Sequence, residues 1–103
     1  MDIFKKFDEK HMISKTYQHY GIIHKMKKEW DKSKIYFDLS AKILEELNIP
    51  YDLAETYFEF GLMYKEKGDK LNAKKYLSNA LDIYKKIGAE KRIEKTEKLL
   101  SKT

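Results

Sequence analysis

His11, His19 and His24 are the chain's only imidazoles, and with no cysteine present they are the first place to look for a metal site. Zinc sites built on one helix take ligands at i and i+4, which share a face. The histidine spacings here are eight and five residues, and no carboxylate stands where a tight site would need one. No metal and no cofactor is expected. His24 reads instead as a packed, hydrogen-bonded side chain. For catalysis, the obvious pair is Glu45 and Glu46, but neighbours on a helix point in different directions. There is no glycine-rich phosphate loop and no nucleophile elbow, so the chain is read as not an enzyme. What remains with chemical potential is a regular spacing of lysines, glutamates and aromatic rings, the equipment of a binding surface.

That spacing has a period of forty residues. Ile3, Ile43 and Ile83 are in register, as are Thr16, Thr56 and Thr96, and Tyr17, Tyr20, Gly21 recurs as Tyr57, Phe60, Gly61. Periods of about 20–50 residues mark stacked supersecondary units. Larger side chains at Ile13, Tyr17, Tyr20, His24 and again at Leu53, Tyr57, Phe60, Tyr64 lie three to four apart, one face of a helix. The second member of each unit reads Trp30, Ser33, Phe37, Ala41, Leu44 and then Ala73, Leu77, Ala80, Leu81, Tyr84. Helices are predicted over 10–27, 30–47, 50–67, 70–87 and 90–101, with a helical fragment at 2–7. Gly68 and Asp69 stop one helix and cap the next, Pro50 suits a first turn, and Gly88 closes a helix. Lys28–Glu29 has neither signal, so a looser first hairpin is expected. Gly21 and Gly61 sit inside helices at a cost of about 1 kcal/mol each. The expected reason is close approach to small partners, Ser33 or Ser40 for Gly21, Ala73 or Ala80 for Gly61.

The residues Tyr57, Phe60, Gly61, Tyr64, Gly68, Asp69, Ala73, Leu77, Ala80 resemble a tetratricopeptide repeat. The earlier copy, Tyr17, Tyr20, Gly21, His24, Trp30, Ser33, Phe37, Ser40, departs by His for Tyr, Ser for Ala twice and a missing Gly-Asp turn. Forty residues resembles a longer-helix variant of that family's 34-residue unit. The resemblance implies an all-α fold of αα-hairpins stacked as a right-handed α-solenoid. On this reading residues 1–103 form one domain. Residues 2–9 end a preceding repeat, 10–48 and 49–88 are full repeats, and 89–103 form a capping helix.

Composition agrees with a binding module and narrows its partners. At 14% aromatic residues the chain folds, and it has no 18-residue apolar run to span a membrane. Its charged start lacks a signal-peptide core, and a cytoplasmic protein is expected. The net charge of +5 comes from 21 Lys and one Arg against 17 acids. Phosphate and base readers favour guanidinium over ammonium, so RNA binding is the less favoured reading. Rich Lys, Glu and Ile also suits a thermophile-like composition.

The resemblance places a concave groove on the inner face of the first helices. That face carries Lys15, Gln18, Ile22, Lys25 and Met26, then Glu55, Phe58, Leu62, Lys65 and Glu66, then Lys95 and Lys98. With Tyr17, Tyr20, Tyr57, Phe60 and Tyr64 assigned to the core, Ile22, Phe58 and Leu62 are surplus apolar residues. They either anchor a ligand or pack between neighbouring first helices. The expectation is a protein scaffold binding a peptide or helix with apolar anchors and negative charge. The alternative is a self-associating module, a homodimer through residues 2–20, because Ile3, Phe4 and Phe7 leave the N-terminal edge uncapped.

Overall fold

A left-handed residue recurs every twenty positions: Lys28 (φ 61°), Asn48 (φ 56°), Gly68 (φ 92°) and Gly88 (φ 71°). Each closes a helix end, and each is followed directly by the N-cap residue of the next helix. The computed structural model describes residues 3–103. Its helices are α1 (Ile3–Met26), α2 (Trp30–Leu47), α3 (Pro50–Lys67), α4 (Lys70–Ile87) and α5 (Glu90–Ser101). The last four occupy the predicted ranges.

The turns share one pattern of backbone bonds. Gly68 N–H donates to the Lys65 carbonyl (3.1 Å) and Asp69 N–H to that of Tyr64 (2.9 Å). Lys28 N–H and Glu29 N–H do the same to Lys25 and His24, both at 2.9 Å. This satisfies carbonyls that a helix end leaves open. The first hairpin is therefore not looser, as expected from its sequence, but closed by the same bonds with a lysine held at positive φ. Its start differs in one respect. The Asp69 carboxylate accepts from the Asn72 N–H (3.1 Å) and side chain (2.7 Å), whereas Glu29 makes no cap and reaches back to His24.

α1 packs on α2, α3 on α4, α2 on α3 and α4 on α5, with α1 also touching α3. The chain is thus an all-α stack of hairpins of the α-solenoid type. One core cluster, Phe37, Phe60, Met63, Tyr64 and Ala73, joins α2, α3 and α4. A second, Ala54, Phe58, Leu77, Ala80 and Tyr84, sits between α3 and α4, with Ile93, Leu99 and Leu100 of α5 against it.

Gly61 does not meet Ala73 or Ala80. A Cβ there would lie 2.7 Å from Leu77 Cγ, and one at Gly21 would lie 2.7 Å from Phe37 Cδ1. The expected pairing of small with small is corrected to small against large. Each glycine lets a large, fully buried apolar residue of the facing helix rest on bare backbone, which offsets its poor helix propensity. Ser33 adds a bond from its hydroxyl to the Gly21 carbonyl at 2.7 Å.

Two further expectations change. The separate fragment at 2–7 is absent over the described residues: α1 runs unbroken from Ile3, and residues 3–10 are exposed along it. Nothing in Ile3–Lys10 is a strong helix breaker, so the helix continues past Asp8, the place where a turn would fall in the twenty-residue rhythm. Asp2, part of the predicted fragment, lies outside the described residues. Tyr20 was assigned to the core but is 45% exposed, whereas its counterpart Phe60 is 1% exposed. The cause is what covers each, not the residue itself.

Candidate functional site

Helices α1, α3 and α5 are the first helices of successive units, and their charged side chains pair across the stack. The Arg92 guanidinium donates to Glu55 Oε2 at 2.7 Å, and the Tyr84 hydroxyl donates to the other oxygen, Oε1, at 2.8 Å. Lys25 approaches Glu59 at 3.4 Å and Glu66 at 3.9 Å. His11 pairs with Asp52. These bonds tie α3 to α5 and α1 to α3. Burial pushes the Tyr84 phenol well above its usual range, and accepting by Glu55 adds to this, since an ionised phenol could not donate.

Phe58 belongs to this tie and not to an open surface. It is 3% exposed and packed with Ala54, Leu77, Ala80 and Tyr84, with Arg92 and Lys95 over its ring at 5.6 Å and 5.5 Å. The reading of Phe58 as an exposed apolar anchor is therefore corrected: α5 covers it. Ile22 and Leu62 are half-buried against the two core clusters. Of the other residues expected on this face, Lys25, Met26 and Glu66 come together with Trp30 around a depression of about 240 Å³. Met26 is one of the most exposed apolar side chains. Glu55 is absorbed by Arg92 and Tyr84. Lys98 lies apart, exposed and 3.7 Å from Glu94 of its own helix. Gln18 and Lys65 are half-buried, and Lys15 and Lys95 are exposed. Among the described residues, Lys15, Lys65 and Lys95 have no carboxylate partner.

Sequence reasoning passed over Arg92, Tyr84 and Glu59. The signal was present: Arg92 is the only arginine, and it stands 37 residues after Glu55, close to one period. Guanidinium is preferred where a carboxylate must be held at a partly buried junction. His24 is held as expected, its Nδ1 2.8 Å from Glu29 Oε1 and its ring stacked on Tyr36. Among the described residues no cluster of three or more His, Asp or Glu is placed to hold a metal ion, and no helix is long and apolar enough to cross a membrane.

The family model for soluble NSF attachment proteins, SNAP, matches residues 5–102, nearly the whole chain. The chain belongs to the SNAP family. No curated protein and no solved structure matches it. SNAP is a tetratricopeptide-like helical-repeat family, so the resemblance drawn from Tyr57 to Ala80 holds for the repeat architecture. The inter-helix pairs at Arg92 and Lys25 are thus ties between units of a SNAP-type repeat stack.

Proposed function

We propose that this SNAP-family chain is a non-catalytic scaffold that binds an acidic segment of another protein along the face shared by α1, α3 and α5. One observation carries the reading. The acids of that face are engaged, Glu55 by Arg92 and both Glu59 and Glu66 by Lys25, while Lys15, Lys65 and Lys95 have no carboxylate partner among the described residues. One such lysine comes from each of the three helices. Engagement of the glutamates in ion pairs leaves a net positive surface that steers an acidic partner and sets its register. Met26, exposed, and the half-buried Ile22 and Leu62 supply apolar contact. The family is named for attachment, which supports a protein as the class of partner, and a cytoplasmic setting fits that role. Pairing of two copies through residues 2–20 is the second reading, favoured by the exposure of Ile3 and Phe4.

The test replaces Lys15, Lys65 and Lys95 together by Glu and compares protein capture from a native lysate at low and physiological salt. Capture should fall about tenfold or more while the melting temperature holds, because none of the three sits in a core cluster. Undiminished capture overturns the reading. Capture abolished by nuclease overturns it in favour of nucleic acid.

A further inference from the structure

Each hairpin carries one four-ring cluster, and the two are the same cluster forty residues apart. In the first, Tyr36 of α2 gathers Tyr17, Tyr20 and His24 of α1, with ring centres 5.9, 5.3 and 5.3 Å away. In the second, Tyr76 of α4 gathers Tyr57, Phe60 and Tyr64 of α3 at 6.1, 4.1 and 5.5 Å.

The second cluster is covered, and its cover is on view. Helix α2 lies across it, with the Phe37 ring 5.4 Å from that of Phe60. The Tyr57 hydroxyl donates to Glu45 Oε1 at 2.7 Å. Cover is complete over Phe60 and Tyr64, while Asp38, Ala41 and Glu45 line a smaller depression of about 320 Å³ beside the half-buried Tyr57 and Tyr76. The cover is thus an amphipathic helix that presents Phe, Asp, Ala and Glu at i, i+1, i+4 and i+8. The first cluster has no such helix. Three of its rings, Tyr17, His24 and Tyr36, line an open depression of about 510 Å³ together with Lys32, Ile35 and Leu39, and the fourth, Tyr20, is 45% exposed. Among the described residues, no side chain accepts a hydrogen bond from the hydroxyls of Tyr17, Tyr20 or Tyr36.

We propose that this open face of the first hairpin is a docking site for an acidic amphipathic helix of a partner protein, seated as α2 is seated on the second cluster. Its aromatic residue packs on Tyr20 as Phe37 packs on Phe60. Its glutamate accepts from Tyr17 as Glu45 accepts from Tyr57. Charge favours an acidic helix over a basic one. α1 carries five lysines against two acids, and Lys32 stands on the rim where the second hairpin has the neutral Asn72. The chain's own start does not supply this helix. Residues 3–7 correspond to 43–47, Lys5 takes the place of the acceptor Glu45, and the segment instead prolongs α1 into solvent. The site shares no residue with the face proposed above, so the two stand or fall separately. It is an instance of helix-in-groove recognition, with the chain's own repeat as the template.

The probe follows from the template: a labelled synthetic peptide with the sequence of residues 30–47, titrated into the full chain and read by fluorescence anisotropy. Saturable binding is expected. Tyr20→Lys in the chain should weaken it about tenfold or more, and Phe37→Ala in the peptide should do the same. Tyr17→Phe should weaken it a few-fold through the lost carboxylate bond. Tyr57→Phe should leave it unchanged, which distinguishes the open face from displacement of the chain's own α2. Tyr20 is half exposed, so Tyr20→Lys should keep the parent's melting curve, and circular dichroism verifies that. Binding insensitive to Tyr20→Lys, or absent at millimolar peptide, overturns the proposal. Sedimentation of the chain alone decides the other occupant. A dimer that Tyr20→Lys abolishes and the peptide does not disperse overturns the assignment to a partner, in favour of a second copy.

Discussion

The first and second hairpins place their aromatic clusters at equivalent positions and bury them to different degrees. Phe60 is 1% exposed and Tyr20 is 45% exposed, although each sits one residue before the helix-interior glycine of its unit. Their own hairpins give both a ring neighbour on the following helix, tilted for Tyr20 against Tyr36 and stacked for Phe60 on Tyr76. The difference is the helix that comes before. α2 precedes the second unit and closes it with Phe37 and Glu45, while α1 runs on past the first unit, exposed along residues 3–10. A repeat unit of this kind cannot bury both faces alone, so burial belongs to the junction and not to the unit.

Truncating the two counterparts should make that contrast measurable. Phe60→Ala removes a buried ring between α2, α3 and α4 and is expected to cost about 3–5 kcal/mol. Tyr20→Ala is expected to cost no more than about 1 kcal/mol. Urea unfolding of both variants checks the pair. A Tyr20 cost that approached Phe60's would mean the first cluster is already covered in solution, which would sharpen the search for a second copy.

Alkaline pH probes the second hairpin through a residue the first lacks. Tyr84 is fully buried, and its counterpart is Leu44. Because its phenol is pushed up when folded, the folded state holds that proton more tightly than the unfolded chain, whose phenols titrate near 10. Its contribution is therefore complete below pH about 10 and declines above it, by up to about 1.4 kcal/mol per pH unit. Tyr84→Phe should flatten that decline, as read by chemical unfolding between pH 9 and about 11. An unchanged slope would show that the Tyr84 phenol is not held buried in solution.

The smallest expected effect lies at the turns. Lys28 holds φ 61° where the second hairpin has Gly68. Lys28→Gly should stabilise the chain by about 0.5–1 kcal/mol, because glycine accepts the left-handed region without strain. A loss of stability would mean the lysine's side chain does something here that the turn bonds do not reveal.

Four of the five helices were legible to the residue because apolar spacing and turn chemistry are local. Pro50, Gly68, Asp69 and Gly88 act within a few residues of where they stand. The start of α1 was misjudged because no local breaker marks Asp8, and propensity alone carried the helix on to Ile3. The close approach at Gly21 and Gly61 was legible, but its partners, Phe37 and Leu77, were not, since ridge-into-groove register is set by the whole helix pair.

The candidate site was less legible for the same reason. Lys15, Lys65 and Lys95 are proposed from their position on a helix face. Whether a glutamate on that face is free or bound depends on a side chain about a period away, as with Glu55 and Arg92 or Lys25 and Glu59. Phe58 was misread because its position on α3 shows neither its packing with Leu77, Ala80 and Tyr84 of α4 nor the cover that α5 adds. The sequence by itself determined four of the five helices, their pairing into hairpins and the repeat stack, because periodicity and capping are written within single turns of chain. Only the tertiary structure decided which aromatic faces are closed and which charges are spent, because burial and ion pairing are properties of two surfaces meeting, and each sequence segment holds just one of them.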